Sequence, residues 1–186
     1  MTGRHDMYDG SDPVTVDVPT SGGENVMVPV IRAVVRSPDH PDSIVLQRRD
    51  DPSESVLGRL EIPGGRWRSG ESPVDAITRE VAEETGLEVT QVHGVTMTRF
   101  DDRRSIASLR PLVVVAGVGG AFPATHVVLI VDAVGQVRPE PGESADVRWW
   151  HVDAVRRAMD EDRNAFIPST FVALRAYLEW LGSALS

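Results

Sequence analysis

Residues 65–87, GRWRSGESPVDAITREVAEETGL, contain the most complete helix signals in the chain. The signals at the two ends are Ser72 as N-cap, Pro73 at the first helical position, Asp75 at the third and Gly86 beyond the last turn. Apolar residues recur at helical spacing, at Val74, Ile77 and Val81. The stretch therefore predicts a helix over residues 73–85 that packs one face against a core.

Three glutamates of this helix are spaced for a joint role. Glu80, Glu83 and Glu84 stand at i, i+3 and i+4, so their carboxylates project from one side of the helix, beside its apolar stripe. Like charges at this spacing repel by roughly a few tenths of a kcal/mol per pair, and a divalent cation would relieve that repulsion. Hard oxygen ligands without His or Cys favour Mg²⁺ or Mn²⁺. A solvated, Glu-rich helix face is the competing interpretation.

Outside this stretch, apolar runs and turn residues predict a sheet covered by helices on its faces. The expected strands span residues 27–36, 43–49, 88–98, 111–118, 126–133 and 147–151, and the expected further helices span 153–160, with Asp153 as N-cap, and 169–181. The 186 residues are enough for one domain with its own core. We expect residues 26–186 to form that domain and residues 1–25 to form a polar, flexible N-terminal leader.

Composition excludes several classes of protein. Lys and Arg total 19 against 28 Asp and Glu, a formal net charge of −9, so we expect no general attraction to nucleic acid or to an anionic membrane. The lack of cysteine excludes disulfides, zinc–thiolate sites and a cysteine nucleophile, and it is compatible with the cytoplasmic location that we expect. Gly119, Gly120 and Pro123 interrupt the most apolar segment, residues 112–131, which favours two strands joined by a turn over a membrane span.

The spacing of residues 65–87 resembles the signature of a known family, the Nudix hydrolases. Their box, G-x5-E-x7-R-E-U-x-E-E-x-G-U with U aliphatic, is matched at Gly65, Glu71, Arg79, Glu80, Val81, Glu83, Glu84, Gly86 and Leu87. Nine constraints at fixed spacing make a chance match very improbable. The surrounding chain is similar more loosely, through Gln47-Arg48-Arg49, Pro63-Gly64-Gly65 and the segment RWWHVD at residues 148–153.

The resemblance implies an α/β/α sandwich with a mixed sheet, in which the box forms a loop–helix–loop. It further implies that Mg²⁺, with Mn²⁺ as a substitute, is bound by Glu80, Glu83 and Glu84, with the Gly64 carbonyl and Glu71 as additional ligands. Arg79 is expected to orient a catalytic glutamate through a salt bridge. The implied reaction is attack of metal-activated water on phosphorus, which cleaves a phosphoanhydride bond in a nucleoside-diphosphate-linked substrate.

Several roles stay open in the sequence. The general base is either a glutamate of the box or one from a later loop, where Glu143 and Glu140 are the candidates. Arg66 and Arg68 flank Trp67 and could contact phosphate and base, although ordinary surface roles are favoured. We expect His126 to be structural. Trp149 and Trp150 should alternate across one strand, so that one lies in the core and the other lines a pocket or a dimer contact.

Two further functions compete with hydrolysis. A Nudix-like module that binds or senses a nucleotide without cleaving it usually has a damaged box, whereas all box acids are present here. An isopentenyl-diphosphate-type isomerase on this scaffold uses a cysteine, which the chain lacks. Nucleoside triphosphates, nucleotide sugars and dinucleoside polyphosphates all remain open as small substrates. A homodimer also stays open, because dimers are common in the family.

Overall fold

A mixed sheet with helices on both faces forms the centre of the fold. The computed structural model describes residues 3–8, 13–18, 27–50, 56–101, 105–117, 124–138 and 145–184. Its strands are β1 Gly3–Tyr8, β2 Pro13–Val18, β3 Val28–Ser37, β4 His40–Arg48, β5 Leu60–Glu61, β6 Gly64–Arg66, β7 Glu88–Val92, β8 Val95–Arg99, β9 Ser105–Leu109, β10 Val113–Ala116, β11 Ala124–Val134 and β12 Ala145–His151. Its helices are α1 Pro73–Thr85, α2 Val152–Glu161, a 3₁₀ turn Arg163–Ala165 and α3 Pro168–Ala184.

The central sheet has the order β10-β11-β3-β4-β12, with β5, β6 and β7 paired onto β4, β3 and β11. Among the described strands of this sheet, β11 and β3 alone pair in parallel, from Ala124 opposite Val28 to Asp132 opposite Arg36, and the other strand pairs are antiparallel. Strands covered on both faces need apolar side chains at consecutive positions, which explains the long aliphatic runs of these two strands, broken in β3 by Arg32. The mixed sheet confirms the predicted fold class.

Each face of the sheet has its own core. One face packs against α1 through Ile31, Ala33, Val35, Val45, Ala76, Ile77, Val81, Leu87, Leu129, Val131 and Ala133. The other packs against α2 and α3 through residues that include Val34, Ile44, Leu46, Val128, Val155, Met159, Leu174 and Tyr177. Helices on both faces make the fold the expected α/β/α sandwich.

The central strand β3 changes its partner halfway along, and this split positions the box. Its first half pairs with β6, where Ile31 lies opposite Gly65 and Arg32 lies opposite Gly64. Its second half pairs with β4, beginning where Arg36 lies opposite Ile44. The loop that precedes α1 is therefore hydrogen-bonded directly to the buried centre of the sheet.

The predicted strand over residues 88–98 is wrong, because the chain turns within it. Gly94 adopts φ +74°, and a Cβ there would lie 2.2 Å from the carbonyl oxygen of Arg110. The turn separates β7, which joins the central sheet, from β8, which forms a hairpin with the unpredicted strand β9. The residues on both sides of Gly94 favour strands, so the sequence pattern does not indicate the turn.

Smaller differences occur at the termini of elements. Helix α2 begins one residue earlier than expected. Its capping hydrogen bond runs from the Asp153 backbone N–H to Nδ1 of His151, at 3.2 Å, so His151 and not Asp153 is the N-cap.

Within residues 1–25, β1 and β2 pair antiparallel with each other, a hairpin that the composition did not predict. The expected turn at residues 119–124 lies almost wholly outside the described residues. In the described part of the chain, no helix combines the length and apolar character needed to cross a membrane.

The C-cap of α1 gives a stability prediction. Gly86 has φ +71°, and an added Cβ would meet the Arg138 carbonyl oxygen at 2.3 Å, whereas Gly58 has φ +76° with nothing within 4 Å. Gly58→Ala should therefore lower the free energy of unfolding by about 1 kcal/mol, from backbone strain alone. Gly86→Ala should lower it by about 2–4 kcal/mol, because crowding adds to the strain. Equal losses in urea unfolding of the two variants would contradict the assigned close contact.

Candidate active site

The capping interactions predicted from the sequence are present at the start of helix α1, which carries the glutamates of the site. Ser72 accepts from the Asp75 N–H at 3.1 Å, and Asp75 accepts in return from the Ser72 N–H at 3.4 Å. The packing differs in one respect from the expected stripe: Ala76 is fully buried and Val74 only half-buried.

The glutamates lie deeper than the edge of the buried face where they were expected. Glu80 is only 9% exposed and Glu84 only 7%, while Glu83, on the outer side, is half-exposed. Carboxylates are rarely buried to this degree unless they are paired or bound to a metal. The partners of each carboxylate therefore decide what the site can do.

Arg79 holds three of the carboxylates together. Its Nε and Nη2 donate to the two oxygens of Glu71, at 2.8 and 3.2 Å. Its Nη1 donates both to Glu80, at 2.7 Å, and to Glu83, at 3.1 Å. One planar guanidinium thus fixes acids from the loop and from two positions of the helix, a fork geometry that lysine cannot supply.

The same contacts set the acidities of these groups. The hydrogen bond from Arg79 lowers the pKa of Glu71, against an opposing effect of burial. The pKa of Glu80 is raised, because the desolvation of its carboxylate outweighs the attraction of Arg79. The pKa of Arg79 is raised further by its hydrogen bonds to Glu71 and Glu80. The site thus combines an acid that stays ionised with one that gains basicity from burial.

Glu84 lies one turn after Glu80 in the helix, and its carboxyl faces the sheet. Its Oε2 accepts from the backbone N–H of Gly64 at 2.8 Å. Burial raises the pKa of Glu84 to about 8, and the Gly64 hydrogen bond opposes this rise without cancelling it. At neutral pH this carboxyl is therefore largely protonated, and it can lose its proton when a cation approaches.

Two glycines allow this close packing. Gly64 has φ +136°, and a Cβ there would lie 2.3 Å from the carbonyl oxygen of Ile31. At Gly65, a Cβ would overlap the carboxylate of Glu80, with Oε2 at 2.5 Å. Both positions require the absence of a side chain, which explains the Gly-Gly pair before the helix.

The structure also contains a buried ion pair that the sequence reading missed. Arg32, in β3, is 8% exposed and donates through Nη1 to Oε2 of Glu61, at 3.0 Å, and Glu61 is only 1% exposed. A charged residue inside an aliphatic strand needs a buried partner, so the arginine within VPVIRAVVR was the available signal. The partner could not be found from spacing, because 29 residues separate the two.

The remaining candidates have structural roles or lie elsewhere. Trp67 donates from Nε1 to the Glu71 carbonyl oxygen at 3.1 Å, which braces the loop. Trp149 and Trp150 alternate across β12 as predicted, but both pack against a core, one on each face of the sheet. Burial lowers the pKa of His126 to about 4, so its ring is neutral at physiological pH.

The general-base candidates Glu140 and Glu143 lie outside the described residues. Within the part of the chain that the structure does describe, no three carboxylate or imidazole groups converge as a ready metal site. Glu80 and Glu83 face one nitrogen of Arg79 instead. The donor set itself fits a hard cation, because it offers carboxylate oxygens without His or Cys.

Solved structures share this fold at low sequence identity. The E. coli ORF135 protein superposes with a TM-score of 0.60 and 18% identity, over 84% of this chain and 92% of that one. A MutT NUDIX hydrolase from Burkholderia pseudomallei gives 0.59 and 19%, over 82% and 98%. The NUDIX domain of Shewanella oneidensis NrtR, crystallised with ADP-ribose, gives 0.61 and 14%, over 88% and 94%. At these identities the similarity shows the fold.

Sequence comparison supplies the family. Proteins of two Mycobacterium tuberculosis strains, provisionally assigned as 8-oxo-dGTP diphosphatase 2, are 42% identical over 50 residues. That match covers 27% of this chain and spans about a third, 35%, of the length of those relatives. The family model of the NUDIX domain matches residues 27–170, the greater part of the chain and all of the site described above. The chain belongs to the NUDIX domain family.

Proposed function

We propose that this protein is a Mg²⁺-dependent hydrolase that cleaves a phosphoanhydride bond in a nucleotide substrate. The observation that carries the proposal is the clustering of box carboxylates around Arg79 and Gly64. Glu80 and Glu83 share one Arg79 nitrogen, and the largely protonated Glu84 lies on the same helix face as Glu80. So many acids at one place favour a site built to accept a cation.

Residues of this chain would take distinct parts in the reaction. Glu80, Glu83 and Glu84 would hold the cation, with Glu71 and the Gly64 carbonyl as further ligands. The chemistry that Mg²⁺ supplies when bound is neutralisation of phosphate charge and activation of the attacking water. Cation binding by Glu80 and Glu83 competes with Arg79, which then keeps its two contacts to Glu71 and stays in place as a positioning residue.

The bond changes follow from the substrate class. The water oxygen bonds to phosphorus, the phosphoanhydride P–O bond breaks, and a nucleotide or phosphate leaves with the electron pair. The proton of the water passes to a carboxylate. A glutamate of the box is one candidate to accept it. Glu143 stays a candidate for the same role.

A nucleoside triphosphate is the first substrate to test. The support is the provisional assignment of the Mycobacterium tuberculosis relatives as 8-oxo-dGTP diphosphatases, which match this chain over a short segment. Nucleotide sugars, dinucleoside polyphosphates and ADP-ribose belong in the same panel, the last because the Shewanella NUDIX domain was crystallised with it.

The first test of the proposed hydrolysis is the substitution Glu83→Gln. With Mg²⁺ and a panel led by 8-oxo-dGTP and dGTP, the wild-type protein should release phosphate or pyrophosphate. Glu83→Gln should lower kcat by at least about 100-fold, because one charged ligand is lost while the size of the side chain is kept. Glu88→Gln is the matched control: Glu88 is exposed, just beyond the C-cap of the helix, and its variant should keep wild-type activity.

Two results would count against the hydrolase. Equal turnover by Glu83→Gln and wild-type protein would remove the box acids from the chemistry. Tight binding of a panel member by both proteins with EDTA present, and no turnover with Mg²⁺, would favour the nucleotide-binding module instead.

A second prediction concerns Arg79→Lys. Lysine keeps the charge but cannot donate to Glu71, Glu80 and Glu83 at once, so kcat at saturating Mg²⁺ should fall by about 10–100-fold. Arg175→Lys is the control, since Arg175 is exposed and forms an i,i+4 pair with Glu179, and its kcat should not change. Wild-type kcat in Arg79→Lys would mean that charge alone is needed at this position.

A third prediction follows from Glu84. Its pKa is raised from 4.5 to about 8, so the folded protein holds a proton that the unfolded chain releases between these values, and stability falls as pH rises through that window. Glu84→Gln removes this dependence. In EDTA, the unfolding free energy of the variant relative to wild type should increase by about 2–4 kcal/mol from pH 5 to pH 8.

The control and the metal dependence complete this test. Glu88→Gln should track wild-type stability across the range. Mg²⁺ should stabilise the wild-type protein more at pH 8 than at pH 6, because binding displaces the Glu84 proton. A difference between Glu84→Gln and wild type that does not vary with pH would contradict the raised pKa.

A further inference from the structure

The buried Arg32–Glu61 pair has no part in the function proposed so far. It lies in the centre of the molecule, between β3 and β5, and both partners are more than nine-tenths buried. Replacing such a pair with apolar residues is often neutral or stabilising, so stability alone is a weak reason for keeping it. Its contacts point to a different role.

Arg32 also donates a hydrogen bond to the backbone of the Ile62–Gly64 turn, which leads into the site. The same Nη1 that donates to Glu61 donates to the carbonyl oxygen of Ile62 at 2.9 Å. On the next residue, the Pro63 carbonyl accepts from the Ala33 N–H at 2.9 Å. The turn before Gly64 is therefore held at two successive carbonyls, one by the Arg32 side chain and one by the β3 backbone.

Gly64 lies directly on this support. It pairs with Arg32 in the register of β3 and β6, and a Cβ on Gly64 would lie 2.5 Å from the Arg32 Cα and 2.9 Å from its Cγ. Its N–H in turn donates to Glu84. A continuous chain of contacts thus runs from Arg32 through the turn to the carboxylate of Glu84.

We propose that Arg32, held by Glu61, is a positioning residue that fixes the Ile62–Gly64 turn, so that the Gly64 N–H holds Glu84 in the orientation that the metal site needs. The inference rests on the proposed function for its link to metal binding. Its structural part concerns this chain's own atoms and can be tested without a substrate.

The test compares wild-type protein with Arg32→Met/Glu61→Met, which replaces both buried charges with apolar side chains of similar size. The first readout is the amide resonance of Gly64 in EDTA, followed by NMR and hydrogen exchange. We expect the Gly64 amide proton to shift upfield and to exchange at least about tenfold faster as its bond to Glu84 loosens. The second is Mn²⁺ affinity measured by titration, which should fall about tenfold.

The matched control removes another ion pair from the same strand. Arg36 donates to Asp132 at 2.7 Å, and both side chains are largely buried, but neither contacts the Ile62–Gly64 turn. Arg36→Met/Asp132→Leu should leave the Gly64 resonance and Mn²⁺ affinity unchanged. Arg32→Lys provides a milder variant should the first fail to fold: it keeps a charge beside Glu61 with a shorter reach, so the Gly64 amide should still loosen.

The outcomes separate the two proposals. An unchanged Gly64 amide and Mn²⁺ affinity in folded Arg32→Met/Glu61→Met, or an unchanged Gly64 amide in Arg32→Lys, would overturn the positioning role, whatever the activity of the wild-type protein. If wild-type protein cleaves no substrate but Gly64 loosens and Mn²⁺ affinity falls, the positioning role stands and the hydrolase proposal fails on its own.

Discussion

Glu80 and Glu84 lie one helical turn apart on the face of α1 that packs against the sheet, and their burial is the constraint that organises the site. A carboxylate removed from water is costly unless it is paired, hydrogen-bonded or protonated. The structure uses all three remedies. Glu80 is paired with Arg79, Glu84 retains a proton and accepts from Gly64, and Glu61 is paired with Arg32.

These remedies account for features of the fold that are otherwise hard to explain. The partner exchange of β3 brings the backbone of Gly64 within reach of α1, because β6 occupies only the first half of that strand. The absence of a side chain lets Gly64 lie against the backbone of β3, and at Gly65 it leaves room for the carboxylate of Glu80. Strand β3, the Ile62–Gly64 turn and helix α1 are therefore in direct contact, and a shift of any one of them changes the surroundings of Glu80 or Glu84.

Local signals in the sequence predicted the parts of this unit that depend on neighbouring residues. The capping box and Gly86 gave the exact limits of α1, since both act within a few residues. The arrangement of the acids required contacts that spacing cannot reveal. Arg79 reaches back eight residues to Glu71, and Arg32 pairs with Glu61 across 29. The turn at Gly94 was missed because residues on both sides of it favour strands, and the choice between one strand and two is made by pairing with β11 and β9.

Arg79 and Arg32 pair with different acids, and this difference explains how the box glutamates can still bind a cation. Arg79 lies on the outer side of the helix and has contacts to both the loop acid Glu71 and the helix acids, so it can give up the latter without losing its place. Arg32 lies on the inner side, where it pairs with Glu61 and donates to the Ile62 carbonyl oxygen. Glu84 is neutralised by a bound proton and not by an arginine. This proton can pass to solvent when a cation binds to the carboxylate. When a cation binds, the site loses the Glu84 proton and part of its salt bridge to Arg79, and both changes increase the negative charge that faces the cation.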